Sequence, residues 1–229
     1  LEYTELDADL RAATIGAVGD IYQRGPWEPA SAYLSNPMLW HPLERVADKL
    51  EHPSPVVRRA AATCLANVLP HSDGVVRGLH ERIYSLIDAT GESDPALRHA
   101  LIGVLVRLGA RESGVDLADG SRVGWDLLGA KQQPSVHVRT AVAVALRRLH
   151  HGSLAEFLED PEARVVTEAA RGIYDEQIAD AMPALAKLIE RGDLKTTALV
   201  RRVLHANFRL GERSNAAALA NFATREDVD

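Results

Sequence analysis

Nine histidines, one cysteine and 32 acidic side chains are the groups through which this 229-residue chain could bind a metal or carry acid–base and nucleophilic chemistry. A metal site built on one helix needs two ligands three or four residues apart, so that both leave the same face. No two histidines have that spacing. His150 and His151 are adjacent and point apart, which suits solvation or capping. Asp116, Asp119, Gly120 and Asp126 have a faint likeness to a calcium loop, but with Gly120 in the turn position Val115 and Leu117 occupy ligand places and cannot coordinate. Cys64 stands alone on an apolar stripe, so it reads as a small buried thiol, with no internal disulfide and no paired haem-attachment cysteines. Neither a Gly-rich phosphate loop ending in Lys-Ser/Thr, nor G-x-G-x-x-G, nor G-x-S-x-G occurs. The carboxylates are spread over polar helix faces. The sequence therefore offers no catalytic residue, no cofactor-binding residue and no metal ligand.

What does recur is an arginine. Arg58, Arg98, Arg139 and Arg201 each follow an apolar residue that opens a stripe, in PSPVVRRAAATCLANVL, PALRHALIGVLVRL, PSVHVRTAVAVALRRL and LVRRVLHANFRLG. With these arginines superposed, Val57, Leu97, Val138 and Val200 align, then Ala61, Leu101, Val142 and Leu204, then Cys64, Val104, Ala145 and Asn207. Steps of three and four residues put such a stripe on one face of a helix and not on a strand. Leu10, Arg11, Ala17 and Ile21 fit the same frame, and PEARVVTEAARGIYD, from Pro161, keeps the stripe with Val166 in the arginine's place. Stacking is expected to bring the four arginines into a structural ladder that pairs with acids or carbonyls of adjoining turns. The alternative is a groove that binds an acidic ligand. Asn207, in register with core residues, is expected to be buried and hydrogen-bonded to the backbone of a neighbouring loop, because an unpaired buried amide costs about 1–3 kcal/mol.

These helices resemble HEAT repeats: a proline opening the first helix of each pair, a V-R-x-A-A-like core in that helix, small residues for close packing and a period of about 40 residues. The resemblance implies an all-α, HEAT/armadillo-like right-handed α-solenoid of five to six helix pairs, read as one domain over residues 1–229. Two irregular insertions are expected, near 24–42 and 118–133. The first, within RGPWEPASAYLSNPMLWHP, is rich in proline and aromatics. Trp27, Tyr33 and Trp40 there, with Trp125 in the second, either cover the repeats or form a partner-binding surface. In the last third, EAARGIYD (Glu168 to Asp175) and RRVLHANFRLG (Arg201 to Gly211) resemble the HEAT region of exported planctomycete-type proteins. Those join a sorbosone-dehydrogenase-like propeller to HEAT repeats and a c-type haem domain. That resemblance covers Glu159 to Ala223 and implies a spacer or docking module of an oxidoreductase whose chemistry lies elsewhere, in a parent exported to the periplasm or cell envelope.

A net charge of −6 argues against a general nucleic-acid or anionic-membrane surface and against a HEAT-type DNA-repair protein. No apolar run reaches the roughly 18 residues of a membrane span. Beginning at Leu1, the chain reads as an excised or processed part of something longer. The function expected from all this is a non-catalytic helical-repeat scaffold, with proteins or other domains of its parent chain as partners.

Overall fold

The computed structural model describes residues 8–17, 41–69, 78–109, 129–191, 194 and 196–225. Their regular structure is helical throughout, with no strand among the described residues. The chain is an all-α helical repeat, and its contacts divide it into two compact units, Leu1–Asp126 and Leu127–Asp229.

In the first unit, residues 8–17 are helical, followed by α1 (His41–Asp48), α2 (Pro55–Val68), α3 (Leu79–Thr90) and α4 (Pro95–Gly109). A 3-10 turn, Lys49–Glu51, ends α1, and Pro55 opens α2 where a missing N–H costs nothing. Helices α2 and α4 pack against each other, with Ala61, Ala62, Cys64 and Leu65 of the first and Leu101, Ile102, Val104 and Leu105 of the second buried. Across their partners, Arg82 on α3 reaches Asp48 and Glu51 at the end of α1.

The second unit holds α5 (Val136–Arg148), α6 (Ala163–Asp175), α7 (Met182–Lys187), α8 (Thr197–Leu210) and α9 (Arg213–Ala223). Part of the insertion expected at 118–133 is a 3-10 turn, Gly129–Gln132, leading into α5. Leu154, Phe157 and Leu158 are buried on a 3-10 segment, Gly152–Glu159, that packs against α6. Here α5 packs on α6, α6 on α8, and α8 on α7 and α9.

The stripe positions become exact once counted from each helix cap. Asp94 Oδ1 accepts the Leu97 N–H at 2.9 Å, Ser135 Oγ that of Val138 at 3.4 Å and Thr196 Oγ1 that of Leu199 at 3.2 Å. Ser54 and Glu162 hold the same place before α2 and α6. Three residues after the cap come Val57, Leu97, Val138, Val165 and Leu199, all buried. Further along, Ala61, Leu101, Val142, Ala169 and Val203 are buried, then the small set Cys64, Val104, Ala145, Gly172 and Ala206. This cap count corrects the α8 register: Leu199 and Val203 face the core, Val200 and Leu204 do not, and Asn207 stands with Leu65, Leu105, Leu146 and Ile173.

Candidate functional site

A helical side chain leans toward the helix N-terminus, so an arginine one turn inside a helix lies back over the chain that enters it. The fourth position after the cap therefore selects arginine for a local reason. Arg58 Nη1 donates to the His52 and Pro53 carbonyls at 2.9 and 2.8 Å. Arg139 Nη1 does the same to Gln133 and Pro134, both at 2.8 Å. Arg98 Nη1 reaches the Gly91 carbonyl at 3.4 Å and Glu92 Oε2 at 2.7 Å. Each clamps its own entering loop.

Arg201 is one position late. Val200 holds the clamp place in α8, as Val166 does in α6, and Arg201 is exposed. The neighbouring Arg202 turns instead to α6, giving Nε and Nη2 to Asp175 at 3.2 and 3.0 Å.

Pairing across to the next helix or its entering turn is made by Arg139, one of the four, and by arginines the sequence did not single out. Arg59 Nε bonds Asp94 Oδ1 at 3.0 Å. Burial works to raise the Asp94 pKa, but the Leu97 N–H and the Arg59 guanidinium outweigh it and hold the carboxyl below its usual range. Arg139 is the most enclosed of the clamps. Its Nε and Nη2 meet Asp160 at 2.8 and 3.3 Å, with both residues buried, and Asp160 Oδ1 also accepts the Glu162 N–H at 2.9 Å. Arg147 Nη1 on α5 bonds Glu168 Oε1 on α6 at 2.7 Å. Beside that pair α6 comes so close that a β-carbon on Gly172 would lie 2.6 Å from Leu154 Cδ2 and 2.9 Å from Arg147 Cγ.

Asn207 is 2% exposed. Its amide nitrogen donates to the Ala186 carbonyl at 2.8 Å and the Val203 carbonyl at 2.9 Å, and its oxygen accepts from Asn215 Nδ2 at 2.9 Å. One side chain thus joins α7, α8 and α9, and its three partners lie on helices and not in the expected loop. A small hollow between the starts of α6 and α8 is lined by Asp160, Val166, Thr167, Arg191, Thr196 and Leu199. Asp160, the one carboxylate among the described residues that line it, is already committed to Arg139 and Glu162.

One group of solvent-facing side chains lies on α8. Arg201, His205 and Phe208 are exposed and share a face by their four- and three-residue steps, and Phe208 is 80% exposed. Tyr174 from α6 supports the same surface: its ring lies 5.7 Å from that of His205, and the Arg209 guanidinium stacks over it at 4.4 Å. Arg209 Nη1 also donates to the Tyr174 carbonyl at 3.3 Å. The spacing of Arg201, His205 and Phe208 was the available sequence signal for this group. Trp27, Tyr33, Trp40 and Trp125, the aromatics singled out in the sequence, lie outside the described residues. Among the described residues, no group of three His, Cys, Asp or Glu side chains could hold a metal ion, and no helix is long and apolar enough to cross a membrane.

Residues 43–72 match the HEAT repeat family model. The matched stretch holds α1 followed by α2, so the V-R-x-A-A helix is the second of its pair and not the first. Among solved structures, the crystal structure of an engineered protein, a Northeast Structural Genomics Consortium target, is similar with 17% identity and a TM-score of 0.42, over 95% of this chain and 92% of that one. No curated protein sequence matches the chain.

Proposed function

We propose that the chain is a non-catalytic helical-repeat scaffold that holds protein partners on its helix surfaces. One observation carries the reading: five helices reuse a single spacing of core stripe and small packing position counted from the residue before the helix, and in three of them the arginine at the fourth place is bound to the backbone of its own loop. A repeat built this way invests its reactive side chains in holding its shape, and its function falls to the surfaces that stacking leaves exposed. The immobilised full chain should retain a protein partner at fixed stoichiometry, and free chain should compete for it. Turnover of any substrate that co-purifies with the chain through successive columns would overturn the reading.

The resemblance over Glu159 to Ala223 favours a second reading, in which these repeats are the docking part excised from an exported c-type haem oxidoreductase. The chain itself would not hold the haem, because its one cysteine, Cys64, is buried within α2. A visible absorption spectrum of the full-length native product decides this, since a spectrum without haem removes it. The single-domain reading of residues 1–229 predicts one cooperative unfolding transition, and two separated transitions would refute it.

A further inference from the structure

We infer that the exposed face of α8 is a docking surface for an acidic protein segment carrying one apolar anchor, an inference that rests on the scaffold reading and adds the partner's chemistry. The helix Thr197–Leu210 contains Arg201, Arg202, His205 and Arg209 and no carboxylate, within a chain whose net charge is −6. Local positive charge in an acidic protein is complementary to a negative partner and steers its approach. Arg202 is already answered by Asp175, which Arg171 also approaches at 3.7 Å. That carboxylate is thus engaged below the face on which Arg201, His205 and Phe208 stand.

The apolar part is Phe208, 80% exposed on a helix whose other large apolar residues are buried or half-buried. Beside it the surface is already ordered. Arg209 is fixed by stacking on the Tyr174 ring and by its bond to the Tyr174 carbonyl, and His205 lies against the same ring. Side chains held before binding lose less freedom on binding, and an aromatic flanked by arginine is the composition of interface hot spots. Arg201, His205 and Phe208 offer cation, polar ring and apolar ring in succession along one helix face. A segment that alternates carboxylates with an aliphatic or aromatic side chain satisfies all three. An extended nucleic-acid backbone fits less well, because the site is one helix wide and the chain as a whole repels phosphate.

The full chain, used to select from a random-peptide library, should enrich sequences with acidic residues around one apolar residue. Their affinity should fall with added salt. Phe208→Ala and Arg201→Glu should each weaken the selected peptides about tenfold or more, while thermal unfolding followed by circular dichroism stays unchanged because both residues are exposed. Failure to enrich any peptide, or enrichment of neutral or basic ones, overturns the inference. So does equal binding by both variants, which would leave the scaffold reading intact and move the partner to another surface. A duplex DNA oligonucleotide that binds more tightly than the peptides, and loses binding in Arg201→Glu, also overturns it. Loss of the stoichiometric partner in the immobilised-chain experiment, by contrast, would strike the scaffold reading itself.

Discussion

Replacing Arg139 by methionine separates the two roles of the fourth-position arginine. Arg139 makes four bonds at 2.8 to 3.3 Å, two to the Asp160 carboxylate and two to the Gln133 and Pro134 carbonyls. Methionine preserves much of the side chain's bulk but leaves Asp160 charged, buried and without its cation. Breaking a buried pair from one side costs about 3–5 kcal/mol. The same substitution at Arg58 removes only bonds to carbonyls at the half-exposed start of α2, which water can replace, so about 1 kcal/mol is expected. Urea unfolding of the full chain, followed by circular dichroism, should therefore show Arg139→Met less stable than Arg58→Met by about 2–4 kcal/mol, the difference between those two costs. Adding Asp160→Asn to Arg139→Met removes the stranded charge yet keeps an acceptor for the Glu162 N–H, so the double variant should regain part of the loss. Equal costs at positions 139 and 58, or additive losses in the double variant, would refute the claim that burial of the Asp160 pair, and not the loop clamp, sets the magnitude.

Other perturbations test the packing and the caps. Gly172→Ala would ordinarily gain helix propensity of about 1 kcal/mol. Here the new methyl meets Leu154 and Arg147, so thermal unfolding should show a net loss of about 1–3 kcal/mol, and a stabilised variant would contradict the close approach. Asn207→Ala strands the Asn215 amide and removes the bond to Ala186, at a cost of about 1–3 kcal/mol by urea unfolding. Asn207→Leu should cost less, since the equivalent positions carry Leu65, Leu105 and Leu146, and a greater loss with leucine would show that the position cannot be filled as its equivalents are. Asp94→Asn keeps a cap acceptor for Leu97 but loses the charge facing Arg59. Because the folded-state pKa of Asp94 is lowered, its contribution is present above the unfolded value of about 3.9 and fades as pH falls through the folded value. The gap between wild type and Asp94→Asn should be about 1 kcal/mol or less at pH 7, since Arg59 is largely exposed, and should shrink on acidification below about pH 4. A gap that does not change with pH would refute the assignment.

The buried stripe of these helices was legible in the sequence because core positions must repeat every three or four residues, and a chain that breaks that period loses its core. Arg201 and Asn207 were misplaced by one position because Leu199 and Val200 are both apolar, so the Val-Arg step could be matched at Val200 and Arg201 although the buried stripe begins at Leu199. The Thr196 hydroxyl decides between Leu199 and Val200 by accepting the Leu199 N–H, a bond that Thr197 could equally have offered from the sequence. Gly172 carries no mark of its closeness to Leu154, and the partnership of Arg139 with Asp160, 21 residues away, depends on which helices stack. Surface function is harder still, since an exposed position answers to no periodic constraint. What distinguishes Arg201 from Arg58 is first its distance from a cap: at the fourth place Arg58 is drawn back onto its own loop. At the fifth place the partner across the stack decides, since Arg59 meets Asp94 there, whereas Arg201 stands exposed on the face that carries Phe208. Cap geometry and the neighbouring helix together thus separate a structural arginine from one available to a partner.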